Sequence, residues 1–567
     1  MGDTTPARTA ADVAHLLTEI GQRLELLGEI PFKARAYYTT AQSLLAMPEP
    51  LAEVIARNKL RTLPGVSEAL AEKIIKLFNT GTHPTLEHLR TQLPSGLLDL
   101  LRISGLGPKK VASLYQTLQI GSLNELEDAC RTGRLATAKG FGASTQAKIL
   151  RGITLVRQSE GRWLLPVAAA YFETVCAALK KERPELHDVT PAGEFRRSCE
   201  VIADRAVAAW TGASPLADFQ VEQAPILLSD AAHYGLNLLY ATGSPAHLRA
   251  LEAHAAAQGQ TLSRQHLLAG TREVPCRTEE DVYAALKLPW IPPELREGLR
   301  EIEWAKAGRL PPLVRLADLR GVLHCHTDAS DGAEPLERLA EGVRARGYGY
   351  LGIADHSRSA AYASGLSIER VEEQWRQIDA LNEKLRPKNF RILKGIESDI
   401  LLDGALDYPA EMLARFDFVV ASIHSRFGLD SAAQTQRICQ AVANPYTTIL
   451  GHPTGRLLLR REPYGLDVPA VLQACARHGV VVEINAHASR LDLDWRYHQM
   501  ALELGCRLSI NPDAHVLSEI EHVAWGVAVA RKGGVPAERV LNCLDLDGIT
   551  KYLTERKKGR HKPRQDL

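Results

Sequence analysis

The chain has 567 residues, 45% hydrophobic and 24% charged, with a formal net charge of +1. That length predicts several separately packed units, and the composition excludes a largely disordered chain. The near-zero charge excludes a uniformly basic nucleic-acid-binding protein, and no segment reaches the ~20 apolar residues of a bilayer span, so a cytoplasmic protein without membrane association is expected. Nine cysteines with no CxxC pair predict reduced, mostly buried thiols.

The first 155 residues read as helices broken by glycine turns, as in VAHLLTEIGQRLELL. A motif recurs there: LPGVSEALAEKI (63–74), ISGLGPKKVASL (103–114) and AKGFGASTQAKI (138–149). Each has a glycine with an apolar residue nine positions later, at Ile74, Leu114 and Ile149. This is the pattern of a helix-hairpin-helix, in which glycine permits the tight turn and the next helix presents backbone N–H groups to a phosphate. Gly65, Gly105, Gly107, Gly140 and Gly142, with Lys109, Lys110 and Lys148 beside the turns, are the candidate contacts to a DNA backbone. Residues 81–160 carry ten Lys and Arg against six Asp and Glu, in keeping with that expectation.

Residues 160–255 switch to mixed helix and strand, and 256–312 form a proline-punctuated stretch ending in GRLPPL. From residue 318 short β-branched runs alternate with helical segments. Their ends read GVLHCHT, YLGIADHS, ILKGIES, FVVASIHS, TILGHPTG, VVVEINAH and RLSINPDAH. Seven predicted strands with helices between most of them imply a β/α barrel, whose chemistry gathers at the carboxyl ends of the strands. The period of two puts His324 and His326 on one strand face and Cys325 on the other.

Of the chain's 19 histidines, His324, His326, His356, His424, His452 and His515 are the candidates at these ends, with Asp331, Asp355, Glu397 and Asp513. Imidazoles with several converging carboxylates suit manganese, iron or zinc and favour more than one ion sharing a bridge. Arg426, Arg456 and Asn485, beside these segments, are candidate phosphate or substrate contacts. The closing segment KYLTERKKGRHKPRQDL has seven basic residues against two acidic ones and reads as a solvated basic tail or a phosphate-binding arm.

HCHTDASDG, ADHS, GIES, SIHS, GHP and PDAH, in this order, resemble the polymerase and histidinol phosphatase (PHP) domain, a metal-dependent phosphoesterase, over about residues 318–560. The resemblance implies a distorted seven-stranded barrel with three divalent ions (Mn²⁺, Zn²⁺ or Fe²⁺). It places His324, His326, Glu397 and Asp513 on one ion, Glu397, His424 and His452 on a second, and Asp331, His356 and His515 on the third. Asp328 competes with Asp331 for its position. Glu397, Asp513 and His326 are the residues expected to carry catalysis.

The remainder resembles a family X DNA polymerase, a repair class that in bacteria is fused to a PHP domain. GEIPFKARAYYTTAQSL (28–44) and LPGVSEALAEKIIKLF (63–78) are similar to its amino-terminal helical domain. Lys73 aligns with a lysine that serves either a lyase reaction or a phosphate contact. The palm departs from the family pattern. In AGEFRRSCEVIADRAVAA, Gly193, Arg196 and Arg197 are kept, but Glu194 stands in place of the nucleotide-contacting serine. Asp204 is followed by Arg205, while Ala206 and Pro225 occupy the other two metal positions, the latter counted back from YATGSPAH.

The expected organisation is multidomain α+β. It comprises a lyase-like helical domain (1–80), a helix-hairpin-helix domain (81–158), a degenerate palm (159–255), a thumb-like segment (256–316), a PHP barrel (317–560) and a basic tail (561–567). The expected function is a monomeric, metal-dependent DNA phosphodiesterase of repair, a 3′–5′ exonuclease or abasic-site endonuclease acting on gapped, nicked, 3′-ended or abasic DNA, with polymerase activity lost. The alternatives are a gap-filling polymerase with accessory nuclease, a small-molecule phosphoesterase and a non-catalytic DNA-binding scaffold.

Overall fold

The computed structural model describes residues 8–45, 47, 49–138, 140–212 and 217–558; the expected basic tail lies outside them. The chain forms two compact units, one holding the chain up to Glu160 with Leu459–Arg461 and the other holding the rest.

The amino-terminal unit is all helix. Its glycine turns are where the sequence places them: Gly65, Gly105 and Gly140 take φ of +76°, +87° and +92°, a region L-residues avoid. The helices that follow are Glu68–Thr80, Pro108–Leu118 and Ala143–Gln158. Ser67 caps the first through its side chain, whereas Gly107 and Gly142, at the N-caps of the other two, give no side-chain cap, so the first N–H groups there lack an intrahelical partner. Ile74, Leu114 and Ile149 are all buried. They sit in two cores, one built on Leu17, Ile20, Leu77 and Leu86 and the other on Leu97, Leu100, Val111 and Ile153.

The second unit begins with a mixed four-stranded sheet in the order His187–Pro191, Val207–Trp210, Ala224–Ser229, Phe219–Val221. Its central pair is parallel, with Val207 opposite Ile226, so the preceding residues Ala206 and Pro225 stand next to each other across the two strands. The chain continues into helices Tyr234–Thr242 and Pro245–Ala256 and a short antiparallel meander before helix Glu279–Ala285.

From residue 321 the strands are all parallel. Gly321–Cys325, Tyr350–Ile353 and Arg391–Lys394 form a three-stranded sheet, and Glu397–Asp399, Val420–Ser422, Ile449–Leu450, Val481–Asn485 and Leu508–Asn511 a five-stranded one. Both faces are buried, as parallel sheets require. Val322, Leu351, Ile392 and Val482 belong to a core shared with the helices, while Leu323, Tyr350, Leu393, Phe418 and Val481 form a second. Each of the seven predicted strand segments holds a strand, but ILKGIES holds two. The break is at Gly395, where a Cβ would lie 2.3 Å from the Phe418 ring and 2.4 Å from the Ile353 carbonyl oxygen. Single bridges, Cys325 with Ala514 and His356 with Glu397, link the two sheets; among the described residues the ladders themselves do not close into a barrel.

Candidate metal centre

The strand ends bring six imidazoles and three carboxylates together. Alternation along Gly321–Cys325 is interrupted at His324, which takes φ of +57° where the pairing register shifts. That kink leaves the His324 and His326 rings 5.3 Å apart while Cys325 stays in the hydrophobic core. His452 and Asp513 are also left-handed, at φ of +23° and +52°. Three strained backbones among nine converging residues mark a place where packing holds the side chains in an unfavourable pose.

Glu397 is the hub and is buried. Its Oε1 lies 2.9 Å from His452 Nε2, 3.2 Å from His424 Nε2 and 3.3 Å from His324 Nε2; its Oε2 lies 2.9 Å from His356 Nδ1. Asp513 Oδ1 is 3.2 Å from His326 Nε2. Asp331 lies 3.5 Å from His356 and 3.4 Å from His515. Three sets have ligand atoms within 4.8 Å of one another: His326, Asp331, His356 and His515; His324, His326 and Asp513; and His356, Glu397 and His424. Asp331, rather than the exposed Asp328, joins the cluster.

The electrostatics follow from crowding. Burial pulls the His356 imidazole down, and Glu397 and Asp331 more than reverse it, to about 10. His424 and His515 are raised to about 9 against the same burial, by Glu397 and Asp331 respectively, whereas burial and then His515 lower His326 to about 3. Burial works to raise Glu397 and Asp513, but the surrounding imidazoles hold both well below the carboxylate range.

Do these residues fit a cation? The Nε2 of His324 and the Nδ1 of His326 are buried with no hydrogen-bond partner, a costly arrangement for a polar atom unless something else engages it. The donor set of imidazole and carboxylate is that of a divalent transition metal. The fit is good.

Around the cluster stand residues that sequence reasoning missed. Glu483, fully buried, accepts from His324 Nδ1 at 2.6 Å, and Asp399 pairs with His424 Nδ1 at 2.6 Å. Both fix which nitrogen each imidazole turns to the centre. The period of two could have found them, since Asp399 is two residues from Glu397 and Glu483 two from Asn485. Asp355 lies outside the three sets. It accepts from Thr327 N at 2.8 Å and Gln374 Nε2 at 2.6 Å, anchoring the loop that presents Asp331.

Asn485 is buried and donates to Asp513 at 3.0 Å. Arg426 is exposed, at φ of +60°. The Arg456 guanidinium is occupied by Asp494 at 2.6 Å and by the carbonyls of Arg490 (2.9 Å) and Leu491.

In the palm region, Asp204 has one acidic neighbour, Glu194, whose Oε2 accepts from the Ala203 and Asp204 amides. Burial, then Glu194, raises the Asp204 carboxyl. Arg205 lies over the Trp163 ring, 4.0 Å from its centroid. Two other nearby acids have partners of their own: Asp218 pairs with Arg264 at 3.0 Å and Asp230 with His233 at 2.7 Å. Among the described residues, no group of three or more metal-ligating side chains forms there.

In the amino-terminal unit, Gly65, Gly105, Gly107, Gly140 and Gly142 are exposed, as are Lys109, Lys110 and Lys148. Lys110 Nζ folds back on the Gly105 carbonyl at 2.9 Å, and half-buried Lys73 donates to Thr85 Oγ1 at 3.2 Å.

Tandem hairpins, a mixed sheet followed by a thumb-like segment, and an imidazole–carboxylate cluster at parallel strand ends define an enzyme of the polymerase-plus-phosphoesterase class. Comparison with known proteins agrees. Residues 8–83 match the helix-hairpin-helix domain family, 97–153 the SAM-like helix-hairpin-helix tandem and 237–297 the DNA polymerase beta thumb. The DNA polymerase/3′-5′ exonuclease PolX of Bacillus subtilis is 32% identical over 96% of this chain and 99% of its own length. A probable phosphatase of Thermoanaerobacter sp. strain X514 is 29% identical over 37% of this chain and 91% of its own, and one from Caldanaerobacter subterraneus subsp. tengcongensis 26% over 42% and 94%. The chain belongs to the PolX family.

Proposed function

We propose that this chain is a metal-dependent DNA phosphodiesterase of the repair type, a 3′–5′ exonuclease or abasic-site endonuclease, whose polymerase site has lapsed. One contrast carries the reading. Eight candidate ligands converge around Glu397, whereas Asp204 stands with Ala206 and Pro225 adjacent where the family has carboxylates. A single carboxylate cannot hold the two ions that nucleotide transfer requires.

Three divalent ions would be held by Glu397 with His324, His326, His356, His424, His452, His515, Asp331 and Asp513; the three close groups redistribute the expected sets, joining His326 to Asp331, His356 and His515 and leaving out His452, whose Nε2 instead lies 2.9 Å from Glu397. Divalent ions bound there supply Lewis-acid stabilisation of a phosphoryl group and lower the pKa of water. In the hydrolysis such a site would catalyse, a water oxygen bonds to phosphorus, the P–O3′ bond breaks, and the leaving O3′ takes a proton from that water. Asn485 and Glu483 orient Asp513 and His324. The two parallel sheets, bridged at Cys325–Ala514 and His356–Glu397, read as one distorted barrel whose third strand is broken at Gly395. The hairpin glycines and Lys109, Lys110 and Lys148 bind the DNA backbone without sequence preference.

The test is a 5′-labelled primer annealed to a longer template, with the protein, Mn²⁺ and four deoxynucleotides. Primers shortened by the wild type and untouched by His324→Ala are expected; primers extended past their starting length would overturn the lapsed-palm reading.

A further inference from the structure

Two side chains beside the metal cluster have no role in the account above. Tyr362 is 69% exposed, unusual for so large an aromatic ring beside a buried polar cluster. Its ring centroid lies 6.0 Å from that of His356 and 6.2 Å from that of His424. The segment that carries it is rigidly held. Leu366 N donates to the His356 carbonyl at 2.9 Å, and Ser359 N and Oγ donate to Asp407 at 2.7 Å and Asp399 at 3.0 Å. Asp399 is the carboxylate that orients His424, so the segment carrying the ring is tied to the cluster.

Arg490 stands beside the same cluster. Its Nε lies 3.5 Å from Asp513 Oδ2, and its side chain is 20% exposed. Among the described residues its guanidinium makes no hydrogen bond, in contrast to that of Arg456. A guanidinium with unused donors beside a ligating carboxylate is suited to a phosphate oxygen. An exposed ring is suited to a nucleobase, which stacks without regard to its identity.

We infer that Tyr362 and Arg490 form a one-nucleotide subsite: the unpaired 3′-terminal base stacks on Tyr362, and Arg490 receives the scissile phosphate on its 5′ side. This rests on the nuclease reading and narrows it, because a paired terminus cannot offer its base face to Tyr362 without fraying, and a small phosphomonoester offers no base. The subsite makes recognition of the end depend on a base being there and not on which base it is.

The experiment uses the full chain with Mn²⁺ and single-stranded, 5′-labelled oligonucleotides ending in either dT or a tetrahydrofuran abasic residue. In the wild type, KM is expected to be about tenfold lower for the dT end, the effect of one stacked base. Tyr362→Ala should raise KM for the dT end about tenfold, erase the difference between ends, and leave kcat and the abasic end unchanged; Tyr362→Phe should restore the wild-type pattern. Arg490→Gln should weaken both ends alike. Unchanged KM in Tyr362→Ala, or equal losses on the two ends, would overturn the subsite while the nuclease reading stands. A wild-type protein that cuts neither end would overturn the nuclease reading and the subsite with it.

Discussion

Replacing Glu483 with glutamine tests how far the metal centre depends on groups that do not ligate. Glu483 is fully buried and accepts four hydrogen bonds: His324 Nδ1 at 2.6 Å and Asn511 Nδ2 at 2.8 Å on Oε1, His452 N at 2.7 Å and Asn485 Nδ2 at 3.1 Å on Oε2. Burial works against its charge, and the His324 imidazole brings the carboxyl below its usual value. Glutamine has the same shape but only one acceptor oxygen, so two donors come to face an NH₂ group. At about 1–3 kcal/mol for each buried polar group left unsatisfied, the expected destabilisation is about 2–6 kcal/mol. Loss of the charged acceptor behind His324 should also weaken metal binding or activity about 10–100-fold. Equilibrium dialysis against Mn²⁺ measures the second effect and urea unfolding the first. Mn²⁺ affinity within twofold of wild type, together with an unchanged urea midpoint, would refute the argument that Glu483 fixes the pose of His324.

Other expectations are as direct. Burial favours the neutral form of Glu279, but the Arg296 and Arg196 guanidiniums carry it from 4.5 down to about 2, a depression worth about 3 kcal/mol. Because the folded value is depressed, this stability is present above about pH 4.5 and lost as pH falls toward 2. Glu279→Gln should therefore flatten the acid limb of a stability–pH profile, and an unchanged slope would count against the ion cluster. Lys532 is 3% exposed, donates to the Arg197 carbonyl at 3.0 Å and pairs with Glu297. Lys532→Met should destabilise the second unit by about 3 kcal/mol, read by the fluorescence of Trp495, whose ring lies 4.5 Å from the ammonium. Gly395→Ala should cost about 1–3 kcal/mol through overpacking against Phe418, measured by the same denaturation.

The hairpins were legible in the sequence because a left-handed turn demands glycine and a buried residue must recur at a fixed distance, so Gly105 and Leu114 are tied by local geometry. The ligands were legible because strand ends repeat the same residue types. What lay between those signals was not. Glu483 meets His324 across 159 positions of chain, and no local pattern announces such a pairing. The period of two marks His324 and His326 as neighbours but gives no sign of the kink at His324, which depends on how Val322 and Cys325 register against the next strand. Composition gave no warning that Arg456 would be occupied by Asp494 and two carbonyls while Arg490, four residues before that aspartate, would keep its donors unused. Charge alone does not distinguish an arginine that holds loops together from one that meets a substrate; only partners do.

The same distinction bears on the palm. Arg196 and Arg197 are the residues of AGEFRRSCEVIADRAVAA that resemble the family X pattern, and taken by themselves they suggest a triphosphate site. Their partners say otherwise. Arg196 makes a two-pronged ion pair with Glu279 at 2.7 and 2.8 Å and donates to Thr242 at 2.9 Å; Arg197 pairs with Glu297 at 2.9 Å, on the same carboxylate that Lys532 reaches from beyond residue 500. Glu279 also holds Arg296, which has no solvent exposure. Removing either arginine would leave a largely buried glutamate with one cation fewer, a cost of several kcal/mol that has nothing to do with nucleotides. Glu200, immediately before the strand Val201–Ile202, makes the same point from the other side: it accepts from Trp495 Nε1 at 3.0 Å and Arg496 at 2.9 Å, joining this part of the second unit to the segment that follows Asp494. These ion pairs account for both arginines by the stability of the second unit, and on the reading proposed above the question of polymerase activity turns on Asp204, Ala206 and Pro225.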